Sequence, residues 1–183
     1  RWMGNLFLIN KPPFSPRLYW HQDWLWWDEP VSSERKPMQV FLNYYLEETT
    51  TENGCLRVIP GSHLRRNALH DKLPIAHDVH TKAFPPDHPI FEDVSDAVNV
   101  PTKKGSVVMG DARLLHSTNA NNTPHQRTLL LGWFLFDYDK YLSLRFPGIF
   151  CVVYYNKLLQ NLYLYKLNTY LVQLMLFLIV LFY

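Results

Sequence analysis

After Asp139 the sequence contains no acidic residue, and after Lys166 it contains no charge of either sign. Taking Arg145, Lys157 and Lys166 away from the 18 Lys and Arg leaves 15 cations in residues 1–140, set against all 16 Asp and Glu, a net of −1. The formal charge of +2 therefore belongs to the C-terminal stretch. No run of Lys and Arg forms a basic stripe, so nucleic acid is not an expected partner. Cysteine is almost absent: Cys55 sits in strand-like apolar text and Cys151 in an apolar tail, which excludes a disulfide framework. No basic-then-apolar leader opens the chain, and residue 1 is Arg. The sequence thus reads as an internal piece of a longer product whose start carries no address, with the cytoplasm as the expected compartment.

What the sequence does hold is apolar and aromatic. A hydrophobic content of 48%, with 15% aromatics, over 183 residues is enough for one domain with a true core and excludes a disordered chain. Short β-branched and aromatic runs at residues 5–10, 38–46, 55–59, 97–100, 106–109 and 128–136 predict strands. Residues 11–16 (KPPFSP) and 47–53 read as turns. The second of these predicts a hairpin between its two flanking strands. Strand pairs of this kind, stacked as two sheets, give a small β-barrel or jelly roll. Residues 62–100 lose periodicity and carry His63, His70, His77, His80 and His88 among prolines and charges, which predicts a solvated loop, with a pocket lid as the other role. Trp20, Trp24, Trp26 and Trp27 crowd together and are expected to pack core and rim, with a pocket wall as the alternative.

The chemistry-bearing stretch is Trp20-His21-Gln22-Asp23-Trp24. On an extended strand, residues two apart point the same way, so His21 and Asp23 would present an imidazole and a carboxylate to one side. By itself a His-x-Asp is as consistent with a hydrogen-bonded surface pair. A second imidazole from His116, in Gly110-Asp111-Ala112-Arg113-Leu114-Leu115-His116, would complete the two-His-one-carboxylate set that suits Fe(II) and leaves coordination positions open. Eleven residues further, Arg127 offers a guanidinium fork able to grip a carboxylate, although alone it reads as a charge at a strand end.

These segments, together with Asn53-Gly54-Cys55-Leu56-Arg57-Val58-Ile59-Pro60-Gly61-Ser62-His63 and Arg127-Thr128, stand in an order that resembles the phytanoyl-CoA dioxygenase family of Fe(II)- and 2-oxoglutarate-dependent oxygenases. The similarity covers about residues 5–139. It implies a mainly β double-stranded β-helix of the cupin-like kind, truncated at its N-terminus, over residues 1–140. It implies Fe(II) on His21, Asp23 and His116, and 2-oxoglutarate held at its far carboxylate by Arg127, with Thr118, Gln39 and Asn43 as further polar contacts. O₂ and a small-molecule substrate complete the reaction, which yields succinate, CO₂ and a hydroxylated carbon. Halogenating relatives lack the carboxylate that Asp23 supplies, so hydroxylation is the implied outcome. A non-catalytic binding module, or an inactive fragment of such an oxygenase, is the rival expectation.

Residues 141–183 stand apart. Their last 17 residues are uncharged but include Asn168, Thr169 and Gln173, while a membrane span needs about 20 apolar residues. A C-terminal anchor, with membrane contact following only from it, a docked helix, and non-native sequence rich in Phe, Leu, Ile, Tyr, Asn and Lys are the three readings. The adopted expectation is a non-native, apolar, helical tail outside the barrel.

Overall fold

A computed structural model of the chain describes residues 2–74, 76, 84, 85 and 87–136. These belong to one compact unit, Arg1–Asp137. The expected tail, together with His77, His80 and Cys151, lies outside the described residues.

Among the described residues, seven strands run in chain order: β1 (Trp2–Lys11), β2 (Gln39–Tyr45), β3 (Leu56–Val58), β4 (Val98–Val100), β5 (Val107–Asp111), β6 (His116–Thr118) and β7 (Arg127–Leu135). They form a four-stranded sheet, β1-β7-β2-β5, and a three-stranded sheet, β4-β3-β6, with antiparallel pairing throughout. Two stacked antiparallel sheets are the architecture the alternating sequence predicts. A further segment extends the smaller sheet beyond β6. Leu18 N–H donates to Thr118 O (3.1 Å), and His21 and His116 exchange both backbone hydrogen bonds (3.0 and 2.8 Å).

The expected hairpin between β2 and β3 is not formed. β2 pairs with β5 and β7, whereas β3 pairs with β4 and β6, so residues 46–55 cross from one sheet to the other. The reason is the register of a closed structure. β2 sits between β7 and β5 and has both edges occupied, leaving β3 to satisfy its backbone groups in the other sheet.

The expected solvated loop of residues 62–100 keeps most of its described residues exposed or half-buried, yet it is anchored to the core. Among its described residues, Leu69, Leu73, Val94 and Ala97 pack on the buried cluster Trp20, Ile59 and Leu115. Trp20 N–H donates to Ile90 O and its indole to Glu92 O, both at 2.9 Å. Arg57 lies over the Trp20 ring (5.0 Å) and reaches Asp93 at 2.7 Å. The sequence lacks periodicity here because short 3-10 turns, such as Pro30–Ser33 before it and Pro89–Phe91 within it, impose no helical or strand repeat. His70 stacks on Trp27, and His88 stacks on Phe84 while capping the turn that follows it. Of the four tryptophans near the motif, Trp20 and Trp24 are fully buried, as core packing requires. No helix among the described residues is long and apolar enough to cross a membrane.

Between the sheets, odd-numbered residues of β2 and β7 point inward, as the pleat demands. Phe41 is 1% exposed, and its ring lies over Gly110, its cross-strand partner on β5. A Cβ at Gly110 would stand 2.1 Å from Phe41 Cζ. Phe41 in turn flanks His116, with ring centroids 5.1 Å apart. Gly110→Ala is therefore expected to destabilise the fold by about 1–3 kcal/mol through overpacking, measured by chemical denaturation. Stability equal to that of the unmodified chain would show that Phe41 has room to move.

Candidate active site

The chain reaches the site from three directions, and the backbone bridge between His21 and His116 brings two of them side by side. Asp23 is then placed by Ala112 O, which accepts from both Asp23 N–H and Trp24 N–H at 2.9 Å. The Ala112 turn is itself clamped. Arg113, 2% exposed, grips Asp111 through two nitrogens (3.0 and 2.6 Å) and donates to Ser32 O and Glu34 O.

His21, Asp23 and His116 converge, with one ligand-capable atom from each lying within 4.8 Å of the others. Their side chains are 4%, 5% and 9% exposed. His21 Nε2 is closest to Asp23 Oδ1 at 3.8 Å, and His116 Nε2 to Asp23 Oδ2 at 3.9 Å. Both separations exceed a hydrogen bond. A surface ion pair would close that gap, whereas three donors around an ion of about 2.1 Å bond length stand apart by design. The tautomers agree with this. His21 Nδ1 faces Tyr19 O at 3.1 Å and His116 Nδ1 faces Leu114 O at 2.9 Å. A proton on each Nδ1 satisfies those carbonyls and leaves the Nε2 lone pairs aimed at the common point, the usual arrangement for ligating imidazoles. The donor set of two imidazoles and one carboxylate fits Fe(II).

A cavity of about 370 Å³ opens from this cluster and is lined by all three side chains, with Phe41, Asn43, Leu56, Leu129 and Leu131 on its walls. Arg127 and Thr118 line it as well. Gln39 is buried on the same pleat face of β2 but is not among the lining residues. His63 is likewise not among them. Arg127 is 3% exposed and donates through Nη2 to Gly54 O at 2.9 Å, while Nε and Nη1 are buried without a partner. Asn43 Oδ1 is also buried without one. Burial holds the Arg127 pKa below its ordinary value, yet a guanidinium stays charged at any ordinary pH. Orphaned donors of this kind cost about 1–3 kcal/mol each unless something answers them, and an anion in the cavity would.

The profile described as Phytanoyl-CoA dioxygenase (PhyH) matches residues 1–129. The chain belongs to the phytanoyl-CoA dioxygenase family. It is 31% identical over 128 residues to ectoine dioxygenase of Sphingopyxis alaskensis, covering 66% of this chain and 42% of that protein. It is 30% identical over 131 residues to the probable alpha-ketoglutarate-dependent hypophosphite dioxygenase of Stutzerimonas stutzeri, covering 67% and 41%. The chain thus spans about two fifths of the length of the curated relatives it matches. Among solved structures, EctD from S. alaskensis with 2-oxoglutarate and 5-hydroxyectoine aligns at TM-score 0.46 and 27% identity, covering 71% of this chain and 44% of that one.

Two residues at this phytanoyl-CoA dioxygenase-type site have roles that their sequence context does not reveal. Trp133, six residues along β7 from Arg127, donates its indole N–H to Asp23 Oδ2 at 2.8 Å and so fixes the carboxylate plane. Only the inward alternation of β7 could have signalled it. Lys11 was expected in a turn, but it ends β1, is 8% exposed and lines the cavity.

Trp133→Phe keeps the ring and removes the N–H. It is expected to weaken Co(II) or Zn(II) binding about 10- to 100-fold in competition with a chromophoric chelator, and unchanged affinity would detach that hydrogen bond from the metal site. Burial first, and then the Arg127 charge, lower the Lys11 pKa from 10.5 to about 8. Between those values the unfolded chain holds the extra proton, so stability rises with pH across that window, while below about 8 the full cost is present. The unfolding free energy of the unmodified chain is therefore expected to gain on that of Lys11→Met by an amount on the order of 1–3 kcal/mol between pH 7 and pH 10. A pH-independent difference would place the Lys11 ammonium in water.

Proposed function

We propose that the protein to which this chain belongs is an Fe(II)- and 2-oxoglutarate-dependent oxygenase that hydroxylates a small organic substrate, with release of succinate and CO₂. The observation that carries this reading is the convergence of His21, Asp23 and His116 on the cavity that Arg127 also lines. Family membership and the dioxygenase names of the relatives support it. Bound Fe(II) would supply activation of O₂ coupled to oxidative decarboxylation of the keto acid. Two neutral imidazoles and one carboxylate leave such a centre a net charge of about +1, to which a dianionic co-substrate is attracted.

The residues of the chain then have separate tasks. Tyr19 O and Leu114 O hold the His21 and His116 rings so that their Nε2 atoms face inward. Trp133 restrains Asp23, whose carboxylate fills the position that must be absent for halide to enter, so hydroxylation is the outcome we assign. Arg127, with two unanswered donors, takes the far carboxylate of 2-oxoglutarate. Thr118 and Asn43 offer polar atoms beside it, whereas Gln39 is buried outside the cavity lining. Phe41, Leu56, Leu129 and Leu131 form apolar walls that exclude water from the reacting centre.

Anaerobic addition of Fe(II) and then 2-oxoglutarate to the full 183-residue chain is expected to produce a weak visible metal-to-ligand charge-transfer band, which His116→Ala abolishes. An unaltered band in that variant would remove His116 from the site. Failure of the longer parent protein to form succinate with any substrate, alongside intact metal binding, would favour the binding-module reading.

A further inference from the structure

Lys11 and Arg127 face each other directly in the β1–β7 ladder. Both are buried, at 8% and 3% exposure, and both line the cavity. Like charges opposite one another in a sheet repel, and burial removes the water that would screen them. Among the described residues no acid answers the pair: neither cation makes an ion pair with a carboxylate, and the one acid lining the cavity is Asp23, held by Trp133. Glu47 acts on Arg127 only electrostatically, its Oε2 accepting from Thr128 N–H.

The arrangement is nevertheless built with care. Gly54, at φ +94°, passes under both cations. Its carbonyl anchors Arg127, and its missing side chain makes room for Lys11, since a Cβ there would meet Lys11 Cδ at 2.4 Å and Cε at 2.7 Å. Asn121, fully buried, bonds Lys11 O and Pro12 O and so fixes the end of β1. The ammonium donates to Pro16 O (2.7 Å) and Thr118 Oγ1 (3.2 Å), which uses two of its three protons. The Arg127 Nε and Nη1 protons are buried donors without an acceptor.

We propose that Lys11 is the second cation of the co-substrate seat, acting with Arg127 on the far carboxylate of the keto acid and setting the preference for dicarboxylic over monocarboxylic keto acids. This rests on the function proposed above. A carboxylate between the two cations turns a repulsive pair into two attractive ones, and a monocarboxylic keto acid leaves the repulsion in place. Lys11 is therefore a specificity-determining residue. Its bonds to Pro16 and Thr118 are what aim the ammonium.

The test uses calorimetry on the full chain loaded with Zn(II), comparing 2-oxoglutarate, its far-end amide and 2-oxopentanoate. In the unmodified chain, two charge-assisted contacts predict that the amide binds about 100- to 10,000-fold more weakly than the dicarboxylate, since each contact is worth roughly 10- to 100-fold. A ratio below about 100 would fit Arg127 acting alone and would overturn the proposal without requiring any variant to fold. Lys11→Met, and Lys11→Gln, which keeps a donor for Pro16 O without the charge, are each expected to lose about 10- to 100-fold in 2-oxoglutarate affinity while 2-oxopentanoate stays within about 3-fold. Equal loss for both ligands, or no loss, would make Lys11 a structural fastener and overturn the assignment. If the unmodified chain takes up Zn(II) but binds no keto acid, the functional reading fails first and this inference falls with it.

Discussion

The structure depends on one short backbone contact, the reciprocal pair of hydrogen bonds between His21 and His116. Those residues are far apart in sequence, and nothing but sheet pairing brings them together. Once they are paired, the side chains of both project to the interior, and Asp23, two residues along, reaches the same point because Ala112 O holds its amide. The Arg113–Asp111 clamp that fixes Ala112 is thus as much part of the site as the ligands are.

A second constraint is electrostatic. Two imidazoles, one carboxylate, two buried cations and several apolar side chains line one cavity. In a low-dielectric interior, charges of one sign collected together are costly, and Lys11 and Arg127 are such a pair. Under the function proposed above, a dianionic occupant would answer both a bound metal and the two cations. The same cost appears in Lys11, whose pKa falls to about 8. Stability and recognition are therefore opposed at this point of the fold, and the packing of Trp20, Ile59 and Leu115 on the outer side supplies burial that offsets it.

Much of this was legible beforehand. The strands of residues 38–46 and 128–136 were readable because β-branched and aromatic residues cluster there, and the structure places β2 within the first and starts β7 one residue before the second. The His-x-Asp, the later His and the following Arg were identifiable because metal and carboxylate chemistry permits few side-chain types. The pairing of β2 was not legible. A polar turn of suitable length is compatible with a hairpin and with a crossing between sheets, and only the competing partners β5 and β7 decide between them. Nor was the anchoring of Leu69, Leu73, Ile90 and Val94 to the core, since these residues are spaced at no regular interval.

The sequence by itself determined the kind of chemistry, since residue type and order suffice to name two imidazoles, a carboxylate and a guanidinium, and it determined the fold class, since alternation and turn composition are local properties. Tertiary structure alone decided which nitrogen of each imidazole faces inward, that Trp133 restrains Asp23, and that Lys11 joins Arg127 in one cavity. Those outcomes follow from strand register and from which carbonyl lies behind each ring. Register is a relation between segments separated by tens of residues, settled by the burial and backbone pairing of the whole sheet, so no window of sequence contains it.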